Sequence, residues 1–205
     1  MMTMWGFPAV LPNWNYAGYE GKPIELVVYS NAEEVEVFVN GKSMGRKPVC
    51  MERPMPNSVH FETVYEPGKV EAISYCGGKE ISRDVLLTAG EPVEIALIPE
   101  KSEMRADGHD LICLNVEIRD KEGRVVPDAS VPLKVEVDGC AVLAGFGSAN
   151  PITDEDYTDA CTVSYRGRAM AIIRSGYESG SANVKVSAEG MEPVQVELQI
   201  VGSGN

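Results

Sequence analysis

The chain has 205 residues, of which 44% are hydrophobic, and its formal net charge at pH 7 is −13. Proteins bind nucleic acids and anionic membrane surfaces mainly through Lys and Arg, so this charge argues against both as partners. No apolar run approaches the roughly 18 residues of a membrane-spanning helix, and the length suits one large or two ordinary domains.

The first half of the chain reads as a series of short strands separated by turns. We predict strands over residues 23–30, 34–40, 43–48, 58–65, 69–76 and 80–87. The alternation of Val35, Val37 and Val39 with polar neighbours is typical of a half-buried strand. Asn40-Gly41 then predicts a hairpin, because a type I′ turn needs positive φ at both of its central residues.

The second half continues the same pattern. We predict strands over residues 92–98, 111–119, 131–138, 140–146, 161–166, 168–174, 181–188 and 192–201. The apolar residues Leu111 and Cys113 are at odd-numbered positions, whereas the apolar residues Val116 and Ile118 are at even-numbered positions, so the two pairs would face opposite sides of one regular strand. This change of phase predicts a bulge or a strand buried on both faces.

The charge distribution points to two domains. Residues 1–90 carry 8 basic and 11 acidic side chains (8 − 11 = −3), while residues 91–205 carry 10 and 20 (10 − 20 = −10). Together with the turn residues around Gly90, this asymmetry predicts a boundary there. We therefore expect an all-β chain of two tandem immunoglobulin-like β-sandwich domains, residues 1–90 and 91–205.

Several segments, taken in order, carry a resemblance to a known family. They are residues 11–16 (LPNWNY), 23–31 (PIELVVYSN), 35–46, 65–72, 88–92 (TAGEP), 106–111 (ADGHDL), 116–120 and 145–151 (GFGSANP). In this order they resemble the accessory domains that follow the catalytic barrel in bacterial β-galactosidases of glycoside hydrolase family 2. One departure is Tyr16, which stands where the family pattern has a second Trp after Trp14.

The resemblance implies a non-catalytic C-terminal region of a glycosidase that hydrolyses O-glycosyl bonds in carbohydrate metabolism. Its implied partner is the catalytic barrel of the same enzyme, and its implied role is to support that barrel or to provide oligomer contacts. Two alternatives stay open: a carbohydrate-binding module, and an immunoglobulin-like adhesin or surface-spacer fragment.

The chain lacks the sequence features of a catalytic domain. Glycoside hydrolysis needs two carboxyl groups on a rigid scaffold, and a catalytic barrel takes about 250 residues of alternating strands and helices. The two histidines, His60 and His109, are expected on a strand face and in a loop. We therefore predict no catalytic residue and no cofactor in this chain.

The loop over residues 145–157 is the one place with oxygen ligands suited to a hard cation such as calcium. Its acids, Asp154, Glu155 and Asp156, are however consecutive, which is typical of a solvated surface. We therefore predict no metal site.

The first nineteen residues hold five of the fourteen aromatic residues. Aromatic rings stack on sugars and also dominate contacts between domains. We expect Trp5, Trp14 and Tyr16 to pack against the rest of the enzyme, with direct contact to carbohydrate as the alternative.

The five cysteines form no pattern that indicates a disulfide framework or a zinc site, because their number is odd and no Cys-x-x-Cys pair occurs. We expect Cys76, Cys113 and Cys161 to behave as small buried hydrophobic residues. This favours a cytoplasmic location, and the resemblance implies a bacterial source.

Overall fold

The computed structural model describes residues 10–52 and 55–202, which form strands, turns and loops without a helix. The strands are β1 (Pro23–Tyr29), β2 (Glu34–Val39), β3 (Lys42–Pro48), β4 (Ser58–Val64), β5 (Lys69–Cys76), β6 (Lys79–Leu87), β7 (Glu94–Pro99), β8 (Glu103–Arg105), β9 (Leu111–Arg119), β10 (Pro132–Gly139), β11 (Ala141–Gly147), β12 (Cys161–Val163), β13 (Arg168–Ser175), β14 (Gly180–Ser187) and β15 (Val194–Val201). The predicted all-β fold is confirmed. The described residues contain no helix that is long and apolar enough to cross a membrane.

The chain divides into two compact units between Thr88 and Ala89. Each unit has its own apolar core and its own pair of sheets. The prediction of two β-sandwich domains is therefore confirmed.

The first domain pairs β1 with β4 in a two-stranded antiparallel sheet and places β3, β2, β5 and β6 side by side in a second sheet. Val35, Val37 and Val39 of β2 are all buried, as their alternation predicts. Asn40 and Gly41 have φ angles of 48° and 81° and form the turn from β2 into β3, as the type I′ sequence predicts.

The second domain consists of a four-stranded sheet in the order β11-β13-β9-β7 and a five-stranded sheet in the order β12-β10-β14-β15-β8. Within the five-stranded sheet, β8 and β15 run parallel, whereas the other neighbouring strands are antiparallel. The core between the sheets includes Leu114, Val116, Val184 and Leu198, each fully buried.

The predicted irregularity in β9 was wrong. Ile112, Leu114, Val116 and Ile118 all face the core with no exposed surface, and the pairing of β9 with β7 and β13 is continuous. The true apolar alternation starts at Ile112, so Leu111 and its successors at odd-numbered positions face outward. The sequence suggested a change of phase because the outward face of this strand is itself partly apolar.

Candidate interaction surfaces

Three aromatic rings form a cluster inside the first domain. The Trp14 ring lies 5.0 Å from the Tyr65 ring at an angle of 72° and 6.5 Å from the Tyr16 ring at 89°. The Trp14 indole N–H donates to the Glu66 carbonyl at 3.1 Å, and the Thr88 hydroxyl donates to the Trp14 carbonyl at 2.7 Å. Trp14 is only 1% exposed, so it is a core residue of its own domain.

The residues that we predicted to make contacts differ in how far they are exposed. Trp14 is enclosed, whereas Tyr16 is half-buried, and its pKa is raised above the usual value by burial and then by the nearby Tyr65. Trp5 lies outside the described residues. Rings that meet at nearly right angles do not form the flat platform that stacks on a sugar.

A groove of about 1210 Å³ opens beside β1 in the same domain. Its lining includes Ile24, Leu26 and Val28 of β1, which point inward yet stay half-buried, and Leu86 of β6. By contrast, the inward residues of β4, Val59 and Phe61, are buried to 4% and 1% exposure. Among the described residues the sandwich is thus closed on the β4 side, whereas a groove that residues 10–13, Tyr16 and Tyr19 also line lies on the β1 side.

The four-stranded sheet of the second domain carries apolar side chains on its outer face. We call this surface the apolar face and define it by Ile98, Leu111, Val142, Tyr157 and Met170, which are 38%, 43%, 46%, 51% and 41% exposed. Half-buried Cys113 and Ile172 pair across β9 and β13 at its centre. Tyr157 joins this surface because its ring lies where a Cβ of Gly147 would stand.

Charged side chains lie at both ends of the apolar face. At one end exposed Arg174 stands between Leu111 and Val142. At the other end Glu117 accepts hydrogen bonds from the guanidinium groups of Arg119 at 2.7 Å and of Arg168 at 3.4 Å. An apolar centre with a polar rim is the usual composition of a protein interface.

The five-stranded sheet of the same domain provides an internal comparison. Its outer face, which we call the polar face, presents Lys134, Glu136, Asp138, Asn183, Lys185, Gln195, Glu197 and Gln199. A sheet face that meets water throughout is expected to be polar in this way. The apolar face departs from that expectation within the same domain.

His60 lies on the exposed face of β4, as predicted, but it has partners that the sequence did not reveal. Its Nδ1 atom is 2.8 Å from Glu25 Oε1, and its Nε2 atom is 3.5 Å from Ser58 Oγ. The Ser58 hydroxyl, however, donates to the Met55 carbonyl at 2.6 Å, and Ser58 is 1% exposed. A hydroxyl that donates elsewhere and is closed to solvent is not an activated nucleophile.

The acidic loop uses its carboxylates within the protein. Glu155 accepts hydrogen bonds from the Val163 N–H at 3.1 Å and the Thr162 hydroxyl at 2.9 Å, and these bonds hold its pKa below the usual value. Asp156 accepts from the Thr158 N–H and hydroxyl. Across residues 10–52 and 55–202, no group of three or more side chains is arranged to hold a metal ion.

All five cysteines are free thiols. The expectation of burial was wrong for Cys161, which is exposed, and Cys76 and Cys113 are only half-buried. Cys113 lies on the apolar face because it alternates with the core residues of β9.

The comparison with protein families matches both domains. Residues 95–197 match the model described as glycoside hydrolase family 2 C-terminal domain 5. The chain is a member of the glycoside hydrolase family 2 C-terminal accessory region. Residues 21–82 match a domain of unknown function, DUF4982. The family resemblance found in the sequence is therefore confirmed.

Individual relatives place these accessory domains in much larger proteins. A β-galactosidase of Bacteroides ovatus is 33% identical over 190 residues, which cover 92% of this chain and 22% of the relative. A β-galactosidase of Thermoanaerobacter pseudethanolicus is 29% identical over 188 residues, 80% of this chain and 24% of the relative. The crystal structure of a family 2 glycosyl hydrolase from Bacteroides cellulosilyticus superposes with a TM-score of 0.92 and 32% identity, covering 98% of this chain and 25% of that one. The chain thus spans about a quarter or less of each relative.

Proposed function

We propose that this chain is the non-catalytic C-terminal region of a β-galactosidase-like family 2 glycosidase and that it supports the catalytic barrel in cis. The observation that carries this proposal is the apolar face of the second domain. Its exposed Leu111, Val142 and Met170 contrast with the mainly polar outer face of the opposite sheet, where Val163 and Val201 are the exposed aliphatic residues. A covered surface accounts for that contrast, because solvent alone favours polar side chains on both faces.

The size of the apolar face favours a partner in the same chain. Four strands about 4.8 Å apart and seven residues long at about 3.4 Å each give a plan area of roughly 460 Å². A stable complex of separate proteins buries about 800 Å² per partner, whereas domains of one chain bury roughly 300–750 Å² each. A tethered partner needs less area because the linker supplies a high effective concentration.

The aromatic cluster disfavours the carbohydrate-binding alternative. A sugar-binding platform needs rings that are open to solvent, but Trp14 and Tyr65 are each 1% exposed. The three rings of the cluster are also mutually edge-on rather than coplanar. Tyr16 is the half-buried member of the cluster.

The test uses the complete reading frame that encodes this chain. The double substitution Leu111→Lys and Met170→Lys places two charges on the apolar face. The matched control, Asn183→Lys and Gln199→Lys, adds the same charge to the polar face. We expect the first variant to lower the melting temperature and activity of the complete enzyme and the control to leave both unchanged.

The same two variants in the 205-residue chain alone should retain wild-type stability, because all four positions face outward. Equal effects of the two variants in the complete enzyme would contradict the proposal. A reading frame that holds a secretion signal and further sandwich repeats, but no barrel, would favour the surface-spacer alternative instead.

We also predict that the purified chain hydrolyses no aryl glycoside, because the proposal assigns both catalytic carboxylates to the barrel. The measurement is release of nitrophenol from a chromogenic galactoside against a buffer control. Turnover that is lost when an acidic residue such as Glu155 is changed to Gln would contradict the assignment.

A further inference from the structure

Arg174 is the arginine of the second domain whose side chain has no partner among the described residues. Acidic side chains outnumber basic ones by 20 to 10 in residues 91–205, which contain six arginines. Four of the other arginines form ion pairs with carboxylates of the domain, and the fifth lies over the ring of Tyr165; they are Arg105, Arg119, Arg124 and Arg168, and Arg166. In so acidic a domain, an exposed guanidinium without a carboxylate is an exception.

The position of Arg174 makes it part of the apolar face. Its strand, β13, is an inner strand of the four-stranded sheet, so a neighbouring strand lies on each side. The register places Arg174 opposite Leu111 of β9 and opposite Val142 of β11, which are 43% and 46% exposed. Side chains directly opposite each other in a sheet lie about 5 Å apart at their Cβ atoms. A partner that covers Leu111 and Val142 therefore also covers the base of Arg174.

Covering a guanidinium that has no partner is costly. A charge that leaves water unpaired loses its hydration, whereas a charge that meets an opposite charge with good hydrogen bonds recovers much of that loss. At the other end of the apolar face, Arg119 and Arg168 already share Glu117, at 2.7 and 3.4 Å. Arg174 has no such carboxylate in its own domain, so the covering surface has to supply one.

We infer that the part of the enzyme that covers the apolar face carries an Asp or Glu carboxylate that pairs with Arg174. This inference rests on the proposed function, because it specifies the chemistry of the surface that the apolar face meets. That surface is apolar opposite Leu111, Val142 and Met170, and it is acidic at one point, opposite Arg174. A carboxylate suits this point because its two oxygens match two parallel N–H groups of a guanidinium.

The ion pair would also determine how the two surfaces are oriented. Apolar burial is non-directional, so the apolar side chains alone allow several arrangements of similar free energy. A single charge pair at one end of the apolar face is satisfied in one arrangement and leaves two buried unpaired charges in the others. Charge complementarity of this kind fixes the register of an interface.

Cys113 can report whether the apolar face is covered. It lies at the centre of that face as a half-buried free thiol. A thiol beneath a partner surface reacts with a maleimide while that surface is open, so its labelling rate follows the population of the open state. We define the protection factor as the labelling rate of Cys113 in the 205-residue chain divided by its rate in the complete enzyme, both measured by peptide mass spectrometry.

The decisive variant is Arg174→Met, which removes the charge and keeps a long side chain. We expect it to lower the protection factor at least about tenfold, because the carboxylate of the partner surface is left buried and unpaired. Arg174→Glu should lower the factor further, since two carboxylates then meet, and Arg174→Lys should lower it least. Each variant is compared with the same variant of the 205-residue chain, so any direct effect of residue 174 on the thiol cancels.

The matched control is Lys185→Met, which removes one exposed cation from the polar face and should leave the protection factor unchanged. Circular dichroism of the 205-residue variants checks that each is folded. The difference between Arg174→Lys and Arg174→Met keeps the test decisive if both are slightly destabilised, because they differ in charge at the same outward position.

Two results would overturn the inference, and they separate it from the proposed function. If Cys113 of the wild type reacts equally fast in both proteins, the apolar face is uncovered, and the proposed support of the barrel fails together with the inference. If Cys113 is protected and Arg174→Met keeps or increases the protection, the proposed support stands and the inference alone fails. The guanidinium of Arg174 would then extend to water at the edge of the interface.

Discussion

Replacing Trp14 by Ala tests whether the N-terminal aromatic residues stabilise their own domain. The indole ring is 1% exposed, it makes two edge-to-face ring contacts, and its N–H donates to the Glu66 carbonyl. Removing a buried Trp side chain costs about 3–5 kcal/mol, because transfer and cavity costs add. A small domain is stable by only about 5 kcal/mol or somewhat more, so this loss approaches its whole free energy of unfolding.

Differential scanning calorimetry resolves this prediction because the two domains have separate cores. We expect Trp14→Ala to lower or remove the transition of the first domain and to leave that of the second unchanged. The control Tyr19→Ala removes a ring that is 43% exposed and should cost less than about 1 kcal/mol. Trp14→Phe keeps most of the ring but leaves the Glu66 carbonyl without its donor, so an intermediate loss is expected.

A loss below about 1 kcal/mol for Trp14→Ala would refute the reasoning. It would mean that the ring is not packed within the first domain in solution. The aromatic cluster would then be free to serve as a contact with the barrel or with sugar.

The remaining predictions concern the second domain. The Lys101 ammonium, and then the Arg105 N–H, lower the pKa of Asp110 from 3.8 to about 2. Its ionised form therefore stabilises the fold above pH 3.8, and this contribution is lost as the pH falls to about 2. In acid unfolding followed by circular dichroism, the wild type should lose more stability between these pH values than Asp110→Asn does. Gly139→Ala should destabilise the domain by clearly more than Gly123→Ala in urea unfolding, because both glycines have positive φ but a Cβ at Gly139 would meet the β14 backbone, whereas Gly123 has open space. Equal losses for the two glycines would show that backbone conformation alone sets the cost.

Most strands could be predicted from the sequence because their ends carry local signals. Asn40-Gly41, Asp138-Gly139 and Arg166-Gly167 supply residues that tolerate positive φ, and each stands at the end of a strand or in a turn between two strands. Alternation such as that of β2 then fixes which side chains face inward. The turn residues and the alternation each involve residues that are close together in the chain, so both can be recognised from the sequence alone.

The features that were missed depend on distant parts of the chain. β8 has only three residues, and its pairing with β15 brings together segments almost a hundred residues apart. The phase of β9 was misread because Leu111 and Cys113 are apolar yet face outward. Local alternation cannot show that an apolar residue belongs to an interaction surface rather than to the core.

The candidate surfaces were beyond sequence reasoning for the same reason. Leu111, Val142 and Met170 lie on three strands, and only the register of β9, β13 and β11 brings them together. Likewise, nothing in the sequence of β1 shows that a groove lies beside it. The aromatic residues could be found by composition, but the burial of Trp14 follows from contacts with Tyr65 and Glu66, about fifty residues away.

The parallel pairing of β8 with β15 sets the order of events while the chain is being synthesised. Gln199, Ile200 and Val201 pair with β8, and Leu198 and Ile200 belong to the core of the second domain. A nascent chain therefore leaves the ribosome with Met104 uncovered, and it cannot close this core until residue 201 has emerged. During that interval the incomplete domain exposes apolar surface, which makes the nascent chain prone to aggregation. The first domain, whose strands all precede Thr88, can fold while the second is still being made.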